Sequence, residues 1–158
     1  LMPPISFAGL ALPPITAQSL GVMLAGAVAG TRRGGLAMLL FIVLVAVGLP
    51  LLSGGRGGFG VIAGTSGGFL LAWPFCAALI GYLVGRDRNA NFLTTAIYIA
   101  LGGIMLMYAV GIPWMAFVGK LGLAKSLTIM VAYVPGDLVK VVLATIIVRG
   151  LHRAYPNL

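Results

Sequence analysis

The chain contains no glutamate and only two aspartates, Asp87 and Asp137, and this scarcity of carboxylates limits its fold more than any motif does. A soluble domain solvates its surface with roughly a quarter charged residues. Here 8% of the 158 residues are charged, 61% are apolar, and the mean hydropathy is +1.14. Most of the surface must therefore face something other than water, and the fold class is an all-α polytopic membrane helical bundle. So few acids also leave little material for general acid/base catalysis. The net charge of +8 does not indicate nucleic acid, because the basic residues form no stripe on a solvated face. They sit between apolar runs, as loop charges do in membrane proteins.

A hydrocarbon core of about 30 Å takes about 20 apolar residues per helix. Five spans can be read, over residues 15–30, 36–52, 68–84, 92–110 and 138–151. They are separated by Thr31-Arg32-Arg33-Gly34-Gly35, by the glycine-rich loop around Arg56, by Gly85-Arg86-Asp87-Arg88, and by a longer segment opening at Gly111-Ile112-Pro113. The segment 114–132 carries Lys120, Gly122 and Lys125. Two lysines at bilayer depth would be costly, so it is expected to lie over one face as an amphipathic or re-entrant stretch. Five spans place Arg32, Arg33, Arg86, Arg88, Arg149 and Arg153 on one side and Arg56, Lys120 and Lys125 on the other. The positive-inside rule puts the arginine-rich side, and with it the C-terminus, in the cytoplasm. A sixth span over 114–132 would move Arg149 and Arg153 across and erase the asymmetry. The expected location is the plasma membrane, multi-pass, with membrane lipid as surroundings. The whole chain, 1–158, reads as one transmembrane domain. It opens on Pro3-Pro4 and Pro13-Pro14 without an initiator Met, which suggests an external loop and a helix missing upstream.

Several features have plain readings. Cys76 lies alone inside an apolar run, so no disulfide or cysteine metal site is expected, only a small packing residue. Gly21, Ala25 and Ala29 form one small-residue face and Gly26 and Gly30 another. Such faces serve close helix packing within the bundle or docking of another membrane subunit. Gly54-Gly55-Arg56-Gly57-Gly58 superficially resembles a phosphate cradle but lacks the Lys-Ser/Thr of a nucleotide P-loop. It reads as a flexible external loop, and ATP hydrolysis is excluded for this chain. The single histidine, His152, lies among arginines near the C-terminus, so an intramembrane enzyme has no nucleophile–base pair to use, and no metal or other cofactor is implied.

Asp137 and Lys140 follow Pro135-Gly136 at the start of the last span. At i and i+3 they share a helix face and can touch. Asp137 could cap the helix by accepting backbone N–H bonds, and Lys140 could snorkel to the interface. Ionisable groups inside a span, however, mostly mark ligand or ion pathways. A carboxylate beside an ammonium suits a ligand with N–H donors together with an acceptor or anionic group, as in a cyclic urea carrying a carboxylate tail. The positive end of the helix dipole adds attraction for anions.

Over residues 12 to 150 the sequence resembles the BioY family, the biotin-specific S components of energy-coupling-factor (ECF) transporters. The likeness rests on Leu12-Pro13-Pro14-Ile15-Thr16-Ala17-Gln18-Ser19-Leu20, Gly30-Thr31-Arg32-Arg33-Gly34 and Gly48-Leu49-Pro50. It continues through the Arg56 loop, Gly64-Thr65-Ser66-Gly67-Gly68-Phe69-Leu70, Tyr108, Gly111 and Trp114, and above all Pro135-Gly136-Asp137-Leu138-Val139-Lys140. The resemblance implies a six-helix S-component fold, here lacking its first helix, and high-affinity biotin binding near the external face of a vitamin-uptake transporter. It implies as partner an ECF module of one transmembrane coupling protein and two cytoplasmic ATPases. It carries Asp137 and Lys140 over as substrate contacts, Thr65, Gly67, Gly68 and Phe69 as the pocket loop, and Gln18 and Trp114 as lid or wall. The sequence departs from the family at Thr65-Ser66, where Pro-Thr is usual, and at Trp73-Pro74, where Gly-Phe is usual. A proline inside the third span should kink it. An S component for another small vitamin on the same scaffold is the alternative.

Overall fold

Gly30 sets the architecture. In the computed structural model, which describes residues 17–157, the first helix, α1, is assigned as Gln18–Val47, yet Gly30 within it has φ 82° and ψ 179°, far from helical values. Gly34 lies against the backbone of Ala25 and Gly26, which one continuous helix would hold about 12 Å away. The chain therefore doubles back at Gly30, and α1 is two antiparallel limbs, 18–29 and 31–47. Only residues without a Cβ allow this approach: a Cβ on Gly26 would collide with Ala77, and one on Gly81 with Gly30 and Thr31. The expected small-residue packing is thus realised at Gly26, whereas Gly21 has open space around it.

The remaining elements are α2 (Phe59–Ala63), α3 (Gly67–Arg86), α4 (Phe92–Ala100), a π-helical segment (Leu101–Leu106), α5 (Met107–Val118), α6 (Leu123–Val131) and α7 (Val134–Ala154). Helix α3 lies at the centre, with half of its residues buried, between α1 and α5, and α7 crosses α4 and α1. Met23, Cys76, Ile80, Ile99 and Val148 are fully buried there, and Cys76 is the small packing residue its position suggests. Pro74 lies inside α3, which is assigned as one helix from Gly67 to Arg86. Three helical runs are long and apolar enough to cross a membrane, and α6 with α7, bent by 52°, form a fourth. Counting the two limbs of α1 separately gives five helical limbs, as many as the apolar runs read from the sequence.

Two expectations about boundaries change. The fourth span does not stop at Gly111-Ile112-Pro113 but runs continuously over Phe92–Val118, taking in Trp114. Gly111 is a packing position, not a terminator: the ring of Phe69 occupies the space where its Cβ would be. Proline is tolerated because neighbouring groups in a bundle can re-satisfy the freed carbonyl. What remains of the 114–132 segment is the nine-residue α6, entered through Lys120 (φ 52°) and Gly122 (φ 79°) and packed on α5. The loop around Arg56 is also not a loose tether. Leu52 and Arg56 form a bridge, Gly58 N donates to Val45 O at 2.7 Å, and Leu52 is buried in the core. Its glycines supply the positive φ that these turns need at 54, 55 and 58.

Candidate functional site

A cavity of about 210 Å³ opens where the first turn of α7 meets the start of α1, the Arg56 loop and α5. Asp137 lies in that first turn, yet the N-cap, Tyr133, makes no side-chain cap, and the Asp137 carboxylate does not bond the helix N–H groups. It accepts instead from Lys140 Nζ at 2.8 Å through Oδ1 and from the Tyr108 hydroxyl through Oδ2. Lys140 does not snorkel. Its ammonium is nearly buried and donates a second bond, at 2.8 Å, to Ser19 Oγ on α1. The four groups form one connected cluster drawn from α1, α5 and α7. This is the sole ion pair among the described residues. Two charges taken from water are stable only with such complementary bonds, and removing one partner strands the other.

The π segment explains how Tyr108 reaches this cluster. One π turn adds a residue relative to an α-helix and so rotates every later side chain by about 100°. Its Gly102 and Gly103 are packed against Ile80 and Met23, which leaves no room for a Cβ at either. Beyond it, Met107 and Tyr108 both line the cavity. The ring of Phe69 stands edge-on to Tyr108, with centroids 6.5 Å apart at 88°.

Of the eight site residues expected from sequence, Asp137, Lys140, Phe69 and Gln18 line the cavity. Gln18 Nε2 is buried and has no hydrogen-bond partner among the described residues. Thr65, Gly67, Gly68 and Trp114 lie behind the wall. Trp114 donates its Nε1–H to Gly64 O at 2.9 Å, and its side chain fills the space a Cβ on Gly68 would need. These residues clamp the glycine-rich turn onto α5, while the methyl of Thr65 lies beside Gly119. Ser66 lines the cavity in place of Thr65. Sequence reasoning also missed Ser19 and Tyr108 as site residues, and it placed Arg56 only in a loop. Arg56 lines the cavity and spends one donor, Nε, on Ser53 O at 3.3 Å. Leu70, Trp73 and Met115 supply apolar wall. The cavity thus offers a donor–acceptor cluster, a guanidinium and an apolar surface between them.

Comparison with known proteins bears on the fold and the family. The BioY family model matches residues 3–157. The chain is 45% identical to the biotin transporter BioY of Rhizobium etli over 164 residues, covering all of this chain and 87% of that one. It is 46% identical to the biotin transporter BioY of Rhodobacter capsulatus, covering 91% of this chain and 81% of the relative. Among solved structures it resembles the S component for biotin from an ECF-type ABC transporter, with a TM-score of 0.87, 33% identity, and coverage of 96% of this chain and 82% of that one. With a family model spanning nearly its whole length and relatives at this identity, the chain belongs to the BioY family.

Proposed function

We propose that this chain is the membrane-embedded biotin-binding subunit of an ECF-type uptake transporter, and that the cavity beside Asp137 and Lys140 holds the vitamin. The carrying observation is the Asp137–Lys140–Tyr108–Ser19 cluster in the lining of a largely apolar cavity. Biotin offers a cyclic urea with two N–H donors and one carbonyl acceptor, an apolar ring and alkyl chain, and a terminal carboxylate. In this reading the Asp137 carboxylate accepts a ureido N–H and the Lys140 ammonium donates to the ureido carbonyl. Phe69, Leu70 and Trp73 cover the ring and chain, and Arg56 pairs with the tail carboxylate. Gln18 Nε2, a buried donor whose unmet bond would cost about 1–3 kcal/mol, gains an acceptor. Thr65, Gly67, Gly68 and Trp114 hold the turn that positions Ser66 and Phe69.

The arginine-rich end faces the cytoplasm by the positive-inside rule, so the cavity faces the exterior, where a nutrient arrives. The partners of this role are a transmembrane coupling protein and two ATPases, since nothing in the chain can itself hydrolyse a nucleotide. Titration calorimetry of the purified chain at micromolar concentration is expected to give saturable heat with biotin. Thiamin and riboflavin should give none, and dethiobiotin, which keeps the urea and the tail, should compete weakly. No heat with biotin would overturn the assignment, and heat with another vitamin alone would reassign the site to that compound.

A further inference from the structure

A second cavity of about 210 Å³ lies at the other end of α7, between its last turns and the α3–α4 connection. It is lined by Arg88, Arg149, His152 and Arg153, with Asp87 the only side-chain carboxylate beside them. No ion pair joins Asp87 to any of these arginines. Arg149 is half-buried and donates to the carbonyl of Ala90, while Arg88 and Arg153 are exposed and make no hydrogen bond within the described residues. Three guanidiniums therefore share one concave surface with their charge largely uncompensated, the donor chemistry that suits phosphate.

The surroundings say which kind of phosphate. On α7, Val142, Ile146, Arg149 and Arg153 succeed one another at i, i+4, i+7 and i+11 and so share a face, and both apolar members are exposed. An apolar stripe thus runs into a cationic cavity along a membrane-crossing helix. A free ion would use only the cavity, whereas a phospholipid would fill both, with its headgroup among the arginines and its acyl chains along the stripe. We propose that this cavity is a binding site for the phosphate of an anionic phospholipid.

The test is native mass spectrometry of the purified full chain in mild detergent, titrated with phosphatidylglycerol and phosphatidylcholine of matched acyl chains. Wild type is expected to retain phosphatidylglycerol at least about fivefold better. Arg88→Gln with Arg153→Gln breaks no hydrogen bond of the fold and should bring that ratio close to one, as should Arg149→Gln. Arg32→Gln with Arg33→Gln, which removes two charges from the Gly30 turn instead, should leave it unchanged. Thermal unfolding of each variant establishes that it is folded before comparison. Absence of a preference in wild type, or equal loss in the Arg32/Arg33 control, would overturn the site in favour of diffuse surface charge. Displacement of phosphatidylglycerol by millimolar inorganic phosphate would overturn the lipid assignment and leave a free-anion site.

Discussion

Two cavities of about 210 Å³ each lie at opposite ends of α7, and they treat charge in opposite ways. Asp137 and Arg153 are sixteen residues apart, about 24 Å along the helix. At the Asp137 end a carboxylate, an ammonium and two hydroxyls bond one another across three helices, so the cluster is neutral before any ligand arrives, and Arg56 is the one further cation among the described residues on that cavity. At the Arg153 end three guanidiniums face one carboxylate and pair with none. A neutral, pre-bonded cluster selects a ligand by shape and donor pattern, because a ligand must replace bonds of matched geometry. An uncompensated cationic bowl selects by charge and accepts many molecules that carry a phosphate.

The comparison is tested most sharply at the paired end. Asp137→Asn and Lys140→Ala should each weaken biotin binding more than tenfold, above about 1.4 kcal/mol, in calorimetric titrations. Wild-type affinity in both would mean that the cluster is structural. Tyr108→Phe removes one donor to the carboxylate but keeps the ring against Phe69. A hydrogen bond to a charged group is worth about 1.5–3 kcal/mol, and the bonds from Lys140 remain, so a loss of about three- to tenfold is expected in the same assay. Trp114→Phe removes only the bond to Gly64 behind the wall and should cost about two- to fivefold, as expected for a neutral hydrogen bond of about 0.5–1 kcal/mol. A larger effect there would place Trp114 in contact with ligand. Arg88→Gln with Arg153→Gln should change biotin affinity less than about twofold, since sites this far apart with no shared partners behave additively. Coupling between the two cavities would show as a departure from that value.

Much of this was legible in the residues. The membrane class follows from the missing carboxylates, and the succession of helical limbs follows from apolar runs broken by arginines, including the reversal at Gly30 that the Thr31-Arg32-Arg33 break marks. The Asp137–Lys140 contact followed from i,i+3 spacing. Other features were hidden because a single position in the sequence serves two purposes. Gly111 looks like a helix end, and Pro113 strengthens that reading, but the glycine is there for the ring of Phe69 and the helix continues. Thr65 and Ser66 are equally polar neighbours, and only the turn geometry decides that Ser66 faces inward. Ser19 is separated from Lys140 by 121 positions, so no local pattern connects them.

The π segment Leu101–Leu106 carries a consequence for how such a chain tolerates change in length. It acts as a phase shifter: upstream, the helix keeps the angular setting that buries Ile99, and downstream it takes a new one that aims Tyr108 at Asp137. Loss of one residue there would erase no chemical group of the cluster, yet the whole downstream half would turn as a dial turns, carrying the Tyr108 hydroxyl away from the carboxylate. The information that builds this corner of the pocket is a count of residues as much as their identity, and a substitution scan that changes every side chain in turn would not expose it.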